Sequence, residues 1–318
     1  MSQSLLRDPR FAIFRDLTVG VVRGGTSAER PISLRSGRAV LNALRRVGVR
    51  SVPIDPADAK GFREKVRGVD VLFLALHGNG GEDGVLQATL QRKGIAFTAS
   101  GAEACRDSFN KLVSKRHFER LGIPTPEYIV VSRKDWKKKT CRFPTPFFVK
   151  PLDGGSSQGV FLVEDFPRSA VMIERSVKRY GRLLIEKRIA GREVTAGILV
   201  DLKLPVIEVR PKRAFYDYKA KYTKGMTEYI VPAPVPAKVA ARVQRLAWKV
   251  HRGLGLAGFS RVDFMLDEKF RPYVLEVNSI PGMTELSLLP KAARAAGIGF
   301  EELCLRVLRD ALVRSRRK

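Results

Sequence analysis

The run VDVLFLAL (69–76) is the strongest constraint on how this chain can fold. Its apolar residues fall on both alternating faces of an extended chain. A strand built from it must therefore be covered on both sides, as in a parallel sheet flanked by helices. Its surroundings fit that pattern. LTVGVV (17–22) is a second short apolar strand. SLRSGRAVLNALRRVG places Leu34, Val40, Leu41, Leu44 and Val47 near helical spacing, and Gly48 stops it. GVLQATLQRKG reads as a short helix and IAFTAS as a strand, so the first third is a βαβ pattern. CRDSFNKLVSKRHFERLGIPTP reads as one helix ended by Gly122 and Pro124, at a domain junction. Strands dominate after it: EYIVV, PFFVK, VFLVE, RLLIEKRI, EVTAGILV and LPVIEVR. A helix (AKVAARVQRLAWKVHRGLG), a hairpin and a last helix (FEELCLRVLRDALVRS) complete the chain. The fold class expected is α/β followed by α+β.

Length and charge narrow the class further. A chain of 318 residues is long for one core, so two or three domains are expected. The three cysteines are far apart and form no C-x-x-C, which fits free thiols in a reducing compartment. The N-terminus has no apolar signal region, and no stretch approaches a membrane-spanning length. A soluble cytoplasmic protein without membrane contact is expected. The net charge of +27 is spread over KDWKKK (134–139), VKRYGR (177–182), RPKRAFYDYKAKYTK (210–224) and the tail. No RNA-binding aromatic pattern, zinc-finger spacing or helix-turn-helix accompanies it, so a solvated basic surface is favoured over a nucleic-acid groove.

Three stretches carry chemistry. In SRVDFMLDEKFRPYVLEVN, alternation puts Arg261, Asp263 and Met265 on one face of a strand. Glu276 and Asn278 share a face of the returning strand. Two carboxylates and an amide oxygen, with no His or Cys, suit Mg²⁺ or Mn²⁺ beside a polyphosphate. By themselves they equally describe a solvated hairpin face. In FFVKPLDGGSSQGVFLVE a strand ends at Lys150, and Gly154 and Gly155 free the backbone to close over a phosphate, with Ser156 and Ser157 as donors. No Walker A sequence occurs, and a plain hairpin turn is the alternative. Further on, Glu186, Lys187 and Glu193 surround a strand end and a glycine turn, where acids can bind a ribose diol or an exocyclic amine. In VVRGGTSAERPIS a strand opens into a helix, and Glu29 would hold an ammonium. HGNGGEDG (77–84) ends the buried strand at the carboxyl edge where α/β sheets bind ligands. His77 there faces a ligand or is hydrogen-bonded to its own loop.

Taken together, GGTSAER, ALHGNGGEDG, FVKP…GGSSQGV, LIEKRIAGREVT, FYDYKAKY, GFSRVDFML and LEVNSIPGMTELSLLP resemble, in order, the D-alanine–D-alanine ligases of the ATP-grasp superfamily. The likeness spans roughly residues 17 to 310. It implies an ATP-grasp fold: an N-terminal α/β domain (1–103), a central lid subdomain (104–189) and a C-terminal subdomain with the metal hairpin (190–318). It implies ATP-dependent joining of two D-alanines through a D-alanyl phosphate, for peptidoglycan precursor synthesis.

The resemblance also implies residue roles. Lys111 and Lys150, with Ser156 and Ser157, meet the ATP phosphates. Glu186, Lys187, Ile189 and Glu193 hold adenine and ribose. Asp263, Glu276 and Asn278 hold two Mg²⁺ (or Mn²⁺) ions. Glu29 binds the ammonium of the first D-alanine, with His77 in the substrate pocket. Arg261 polarises the carboxylate under attack and stabilises the oxyanion. Ser287, Leu288 and Lys221 hold the carboxylate of the second D-alanine, beyond the turn at Gly282. Ser156 and Tyr222 form a hydrogen-bonded pair running back to Glu29 that closes the loops. The tyrosine-type loop points to D-alanine as acceptor. D-Lactate, D-serine or another amino acid stays open, as does a homodimer. A non-catalytic basic module is disfavoured, because it would not need Asp263, Glu276, Asn278 and Arg261 together. The LDGG before the serines and the N-terminal extension depart from the family pattern.

Overall fold

The computed structural model describes residues 2–212, 223 and 225–316. The chain opens with two 3₁₀ turns, Ser2–Arg7 and Ala12–Arg15, which bury Phe11 and Phe14. Then come β1 (Thr18–Val22), α1 (Arg30–Arg46), β2 (Arg50–Ile54), α2 (Ala59–Arg67), β3 (Val71–Leu74) and α3 (Val85–Arg92). The strands form a parallel sheet in the order β2-β1-β3. All four residues of β3 are buried, as its apolar run requires. The expected strand at IAFTAS is reduced to a single parallel bridge, Leu72 with Phe97.

The helix expected over CRDSFNKLVSKRHFER is two helices, α4 (Ala102–Phe109) and α5 (Lys111–Arg120). Asn110 separates them with an extended backbone, and its side chain accepts from Val113 N at 3.0 Å. An asparagine competes for backbone hydrogen bonds, so it breaks one helix and caps the next. The break sets Lys111 at the first position of α5.

A second sheet comprises β4 (Tyr128–Ser132), β5 (Phe147–Pro151), β6 (Phe161–Val163) and β7 (Arg182–Lys187), with α6 (Trp136–Thr140) and α7 (Phe166–Tyr180) on its chain path. It is antiparallel, in the order β4-β7-β5-β6. The third sheet holds β8 (Arg192–Leu199), β9 (Leu202–Lys203), β10 (Ile207–Pro211), β11 (Thr227–Ile230), β12 (Phe259–Leu266) and β13 (Pro272–Asn278). Its order is β11-β10-β8-β12-β13, with β9 on β8. The helix α8 (Ala237–Gly253) packs on β8, β12 and β13.

Two helices end the described chain, α9 (Leu288–Ala295) and α10 (Phe300–Ser315); only the second was expected. They close the first core rather than the third sheet alone. α10 packs on α1 and β3, and Leu303, Leu305 and Leu308 share a core with Phe73 and Val21. Phe73 meets Phe259 of β12 at 6.4 Å between ring centres. Burying such rings contributes about 2–3 kcal/mol each, enough to tie the parallel sheet to the third one.

Candidate active site

The hairpin β12–β13 carries the centre of the site. Asp263 lies directly opposite Glu276, and Arg261 opposite Asn278. The pairing slips between Asp263 and Phe264, where Phe264 meets Val274 and Leu275 becomes an extra residue. This bulge turns Leu275 and Glu276 together toward the cavities, as a bulge beside a site commonly does. Alternation along the strand anticipated the face; the bulge was not legible.

Two adjoining cavities meet at this hairpin, of about 100 and 270 Å³. The first lies between the second and third sheets. Lys150, Glu186, Lys187 and Ile189 line one side, and Glu193, Asp263, Met265 and Glu276 the other. The second is walled by Glu29, His77, Arg261, Asn278, Gly282, Ser287 and Leu288. Lys111, Gly154, Gly155, Leu275 and Glu276 border both. Ser157 faces the first and Ser156 the second. The expected site residues are thus gathered around one hairpin, apart from Lys221 and Tyr222, which lie outside the described residues.

Arg261 grips Asp263 bidentately, Nε to Oδ1 and a terminal nitrogen to Oδ2, each at 2.8 Å. Thr195 Oγ1 adds a 2.5 Å bond to Oδ1. With its amide oriented to satisfy both ends, Asn278 donates to Glu82 Oε1 at 2.8 Å and accepts from Arg261 at 2.9 Å. Glu82, which sequence reasoning missed, is buried and also accepts from Gly78 N at 2.7 Å. Burial and the neighbouring Glu29 carboxylate push it up to about 8. The donor set of Asp263, Glu276 and Asn278 is all oxygen. Among the described residues no cluster of three or more His, Cys, Asp or Glu is poised for a metal. By donor chemistry alone, two carboxylates and an amide oxygen fit a hard divalent cation whose remaining ligands would come from a polyphosphate and water.

In the second cavity the loop after β5 closes onto Glu29. Ser156 Oγ donates to Glu29 Oε2 at 2.5 Å. A side chain at Gly155 would put its Cβ 2.8 Å from Glu29 Oε1, so the carboxylate would have to shift to admit it. Ser156 and Ser157 both hold positive φ (54° and 56°), a strained pair of the kind found in ligand clamps. The loop is pinned at its start: Lys111 Nζ donates to Gly154 O at 2.7 Å, and Asn110 Nδ2 to Asp153 Oδ1 at 2.7 Å. Asp153 of the unusual LDGG thus anchors the loop base. His77 lies 3.1 Å from Ser36 Oγ, and burial lowers it to about 4, so it is neutral at pH 7. It belongs to the wall and is bonded to α1 rather than to its own loop. Ser287 precedes α9 and accepts from Thr284 N at 3.1 Å, leaving the helix N-terminus facing the cavity.

In the first cavity the side chain of Glu186 is committed to two ammonium groups. Lys115 Nζ stands 2.6 Å from Oε2, and Lys150 Nζ bonds Oε1. Burial opposes the charge on Glu186, yet the two lysines hold its carboxyl below the usual range. Lys115, itself 1% exposed, is the second residue the sequence did not reveal. A lysine in a lysine-rich helix carries no signal of burial.

A clamp of two antiparallel sheets over a cavity lined by lysines and acids, with an acid–amide–arginine hairpin between it and a second pocket, defines a carboxylate–amine ligase of the ATP-grasp class. The comparisons narrow this. Residues 117–309 match the family model described as the D-ala D-ala ligase C-terminus. A D-alanine–D-alanine ligase of Geotalea uraniireducens is 44% identical over 93% of this chain and 96% of its own. The D-alanine–D-alanine ligase structure from Bacillus anthracis is 34% identical with a TM-score of 0.85, covering 95% of this chain and 99% of that one. A D-alanine–D-alanine ligase structure from Bacillus anthracis complexed with ATP gives 31% identity, a TM-score of 0.83 and the same coverage. The chain belongs to the D-alanine–D-alanine ligase family.

Proposed function

We propose that this protein joins two D-alanines at the expense of ATP, giving ADP, phosphate and D-alanyl-D-alanine for peptidoglycan precursors. The observation that carries the reading is the register of Asp263 with Glu276 and of Arg261 with Asn278, at the meeting of the two cavities.

ATP occupies the first cavity in this reading. Lys187, Ile189, Glu193 and Glu186 surround the base and ribose. Lys111, Lys150, Ser156 and Ser157 meet the phosphates. Asp263, Glu276 and Asn278 would hold two Mg²⁺ or Mn²⁺ ions, which when bound neutralise the transferring phosphoryl group. Glu29 takes the ammonium of the first D-alanine, whose carboxylate is then activated as D-alanyl phosphate. His77, neutral, shapes that pocket. Ser287, Leu288 and the α9 N-terminus, with Lys221, orient the carboxylate of the second D-alanine beside the turn at Gly282. Arg261 faces the carbonyl under attack and stabilises the oxyanion that forms there. The loop bearing Ser156, together with Tyr222, keeps water from the acyl phosphate.

The same reading divides the chain into units 1–103, 104–189 and 190–318 and places the reaction in the cytoplasm. Among the described residues no helix is long and apolar enough to cross a membrane. A homodimer through the first unit is tested by sedimentation. The decisive experiment mixes purified protein, ATP, Mg²⁺ and D-alanine. D-Alanyl-D-alanine with equimolar phosphate is expected; no dipeptide, or preference for D-lactate at neutral pH, would sink the assignment.

A further inference from the structure

The roles above leave one buried charge unexplained, the ammonium of Lys115. Three residues in register across the second sheet, Tyr128, Glu186 and Phe148, form the floor beneath it. Lys115 Nζ lies 4.9 Å from the Tyr128 ring centre and Lys150 Nζ 5.6 Å from that of Phe148. Glu186 sits between them and is shared by both. The two lysines differ in freedom. Lys115 is 1% exposed and is further held by Thr125 Oγ1 at 2.6 Å and the Pro126 carbonyl at 3.4 Å. Thr125 in turn donates to the Val274 carbonyl of β13 at 2.8 Å. Lys150 is 14% exposed and lines the nucleotide cavity.

We propose that Lys115 is a positioning residue, the resident counter-ion of Glu186 that frees Lys150 to turn to the phosphates of a bound nucleotide. The inference rests on the nucleotide reading of the first cavity. Its logic is charge balance. A buried carboxylate stripped of its only cation is strongly unfavourable. With Lys150 as sole partner, Glu186 would hold that lysine back from any phosphate. With Lys115 fixed on the other oxygen, Lys150 leaves one ion pair and Glu186 keeps another. Two ammonium groups around one carboxylate also leave a net positive charge, which a phosphate offsets when it arrives. Burial pulls Lys115 downward while Glu186 holds it up, so the pair is a charged unit maintained by mutual attraction.

The test compares dissociation constants for ADP and for adenosine, which has no phosphate to draw Lys150 away. Lys115→Met raises the constant for ADP at least about tenfold and leaves adenosine within about twofold. In a Glu186→Gln background, where no buried carboxylate can be stranded, adding Lys115→Met has no further effect on ADP. Lys115→Arg, which keeps the charge, stays near the unaltered protein. Equal losses for both ligands, or an undiminished loss in the Glu186→Gln background, would overturn the role of Lys115 alone. Should Lys115→Met fail to fold, Lys115→Gln, which keeps a polar contact without the charge, takes its place with the same expectation for ADP and adenosine. Failure of the unaltered protein to bind ADP would remove the nucleotide reading and this inference with it.

Discussion

Ser156 Oγ meets the Glu29 carboxylate at 2.5 Å, joining the loop after β5 to the turn that opens α1. The contact runs from the second sheet's loop to the start of α1 and borders the second cavity. A hydrogen bond to a charged acceptor contributes about 1.5–3 kcal/mol. Ser156→Ala is therefore expected to lower kcat/KM for D-alanine by about ten- to a hundredfold. The same bond is present before any substrate binds, so the melting temperature is expected to fall by a few degrees as well. Steady-state kinetics and calorimetry together check this; full activity would show that the contact does not serve turnover.

Arg261 and Glu276 face each other diagonally across the hairpin. Glu276→Gln and Arg261→Ala are expected to cut ATP-dependent dipeptide formation by at least about a hundredfold, by removing a charged oxygen ligand and the oxyanion partner respectively. The far-ultraviolet circular dichroism spectrum remains native. For Glu276→Gln the requirement for Mg²⁺ also rises. Retained turnover in either variant refutes its role.

Gly191 lies between β7 and β8 at φ +148°. A Cβ there would come within 1.8 Å of the Leu266 carbonyl oxygen, at the end of β12. Backbone cannot yield as a flexible side chain can. Gly191→Ala is expected to destabilise the protein by roughly 3 kcal/mol or more. Denaturant unfolding measures it, and a loss below about 1 kcal/mol, the ordinary glycine-to-alanine scale, would contradict the clash.

His251 is buried in α8, bonded to Ser260 Oγ at 2.8 Å and stacked on Trp248. Burial lowers it to about 4, against 6.5 in the unfolded chain. Between those values the unfolded state binds the extra proton, so stability is full above pH 6.5 and falls as the pH drops toward 4. Relative to His251→Gln, the unaltered protein should lose about 2 kcal/mol more between pH 7 and pH 5. Urea titrations at the two pH values test it; parallel losses would mean that the imidazole does not titrate as its burial requires.

Alternation and element order were legible without coordinates. A strand's side chains alternate by geometry alone, so Arg261 and Asp263 had to share a face, and so had Glu276 and Asn278. The doubly buried β3 followed from its apolar run. The helix break at Asn110 was less visible, because an asparagine is tolerated within a helix as well as at its cap. The strand expected at IAFTAS failed for a tertiary reason: the chain leaves β3 after one bridge.

What the sequence by itself determined is which residues the local backbone period sets side by side, and which motifs follow one another. What only the tertiary structure decided is which distant charges share a low-dielectric pocket. Lys115 and Lys150 lie on different elements from Glu186, and Glu82 reaches Asn278 from the loop after β3. Burial makes such pairings strong, and the burial of a charged side chain is decided by the packing of the whole chain, not by a local pattern of residues.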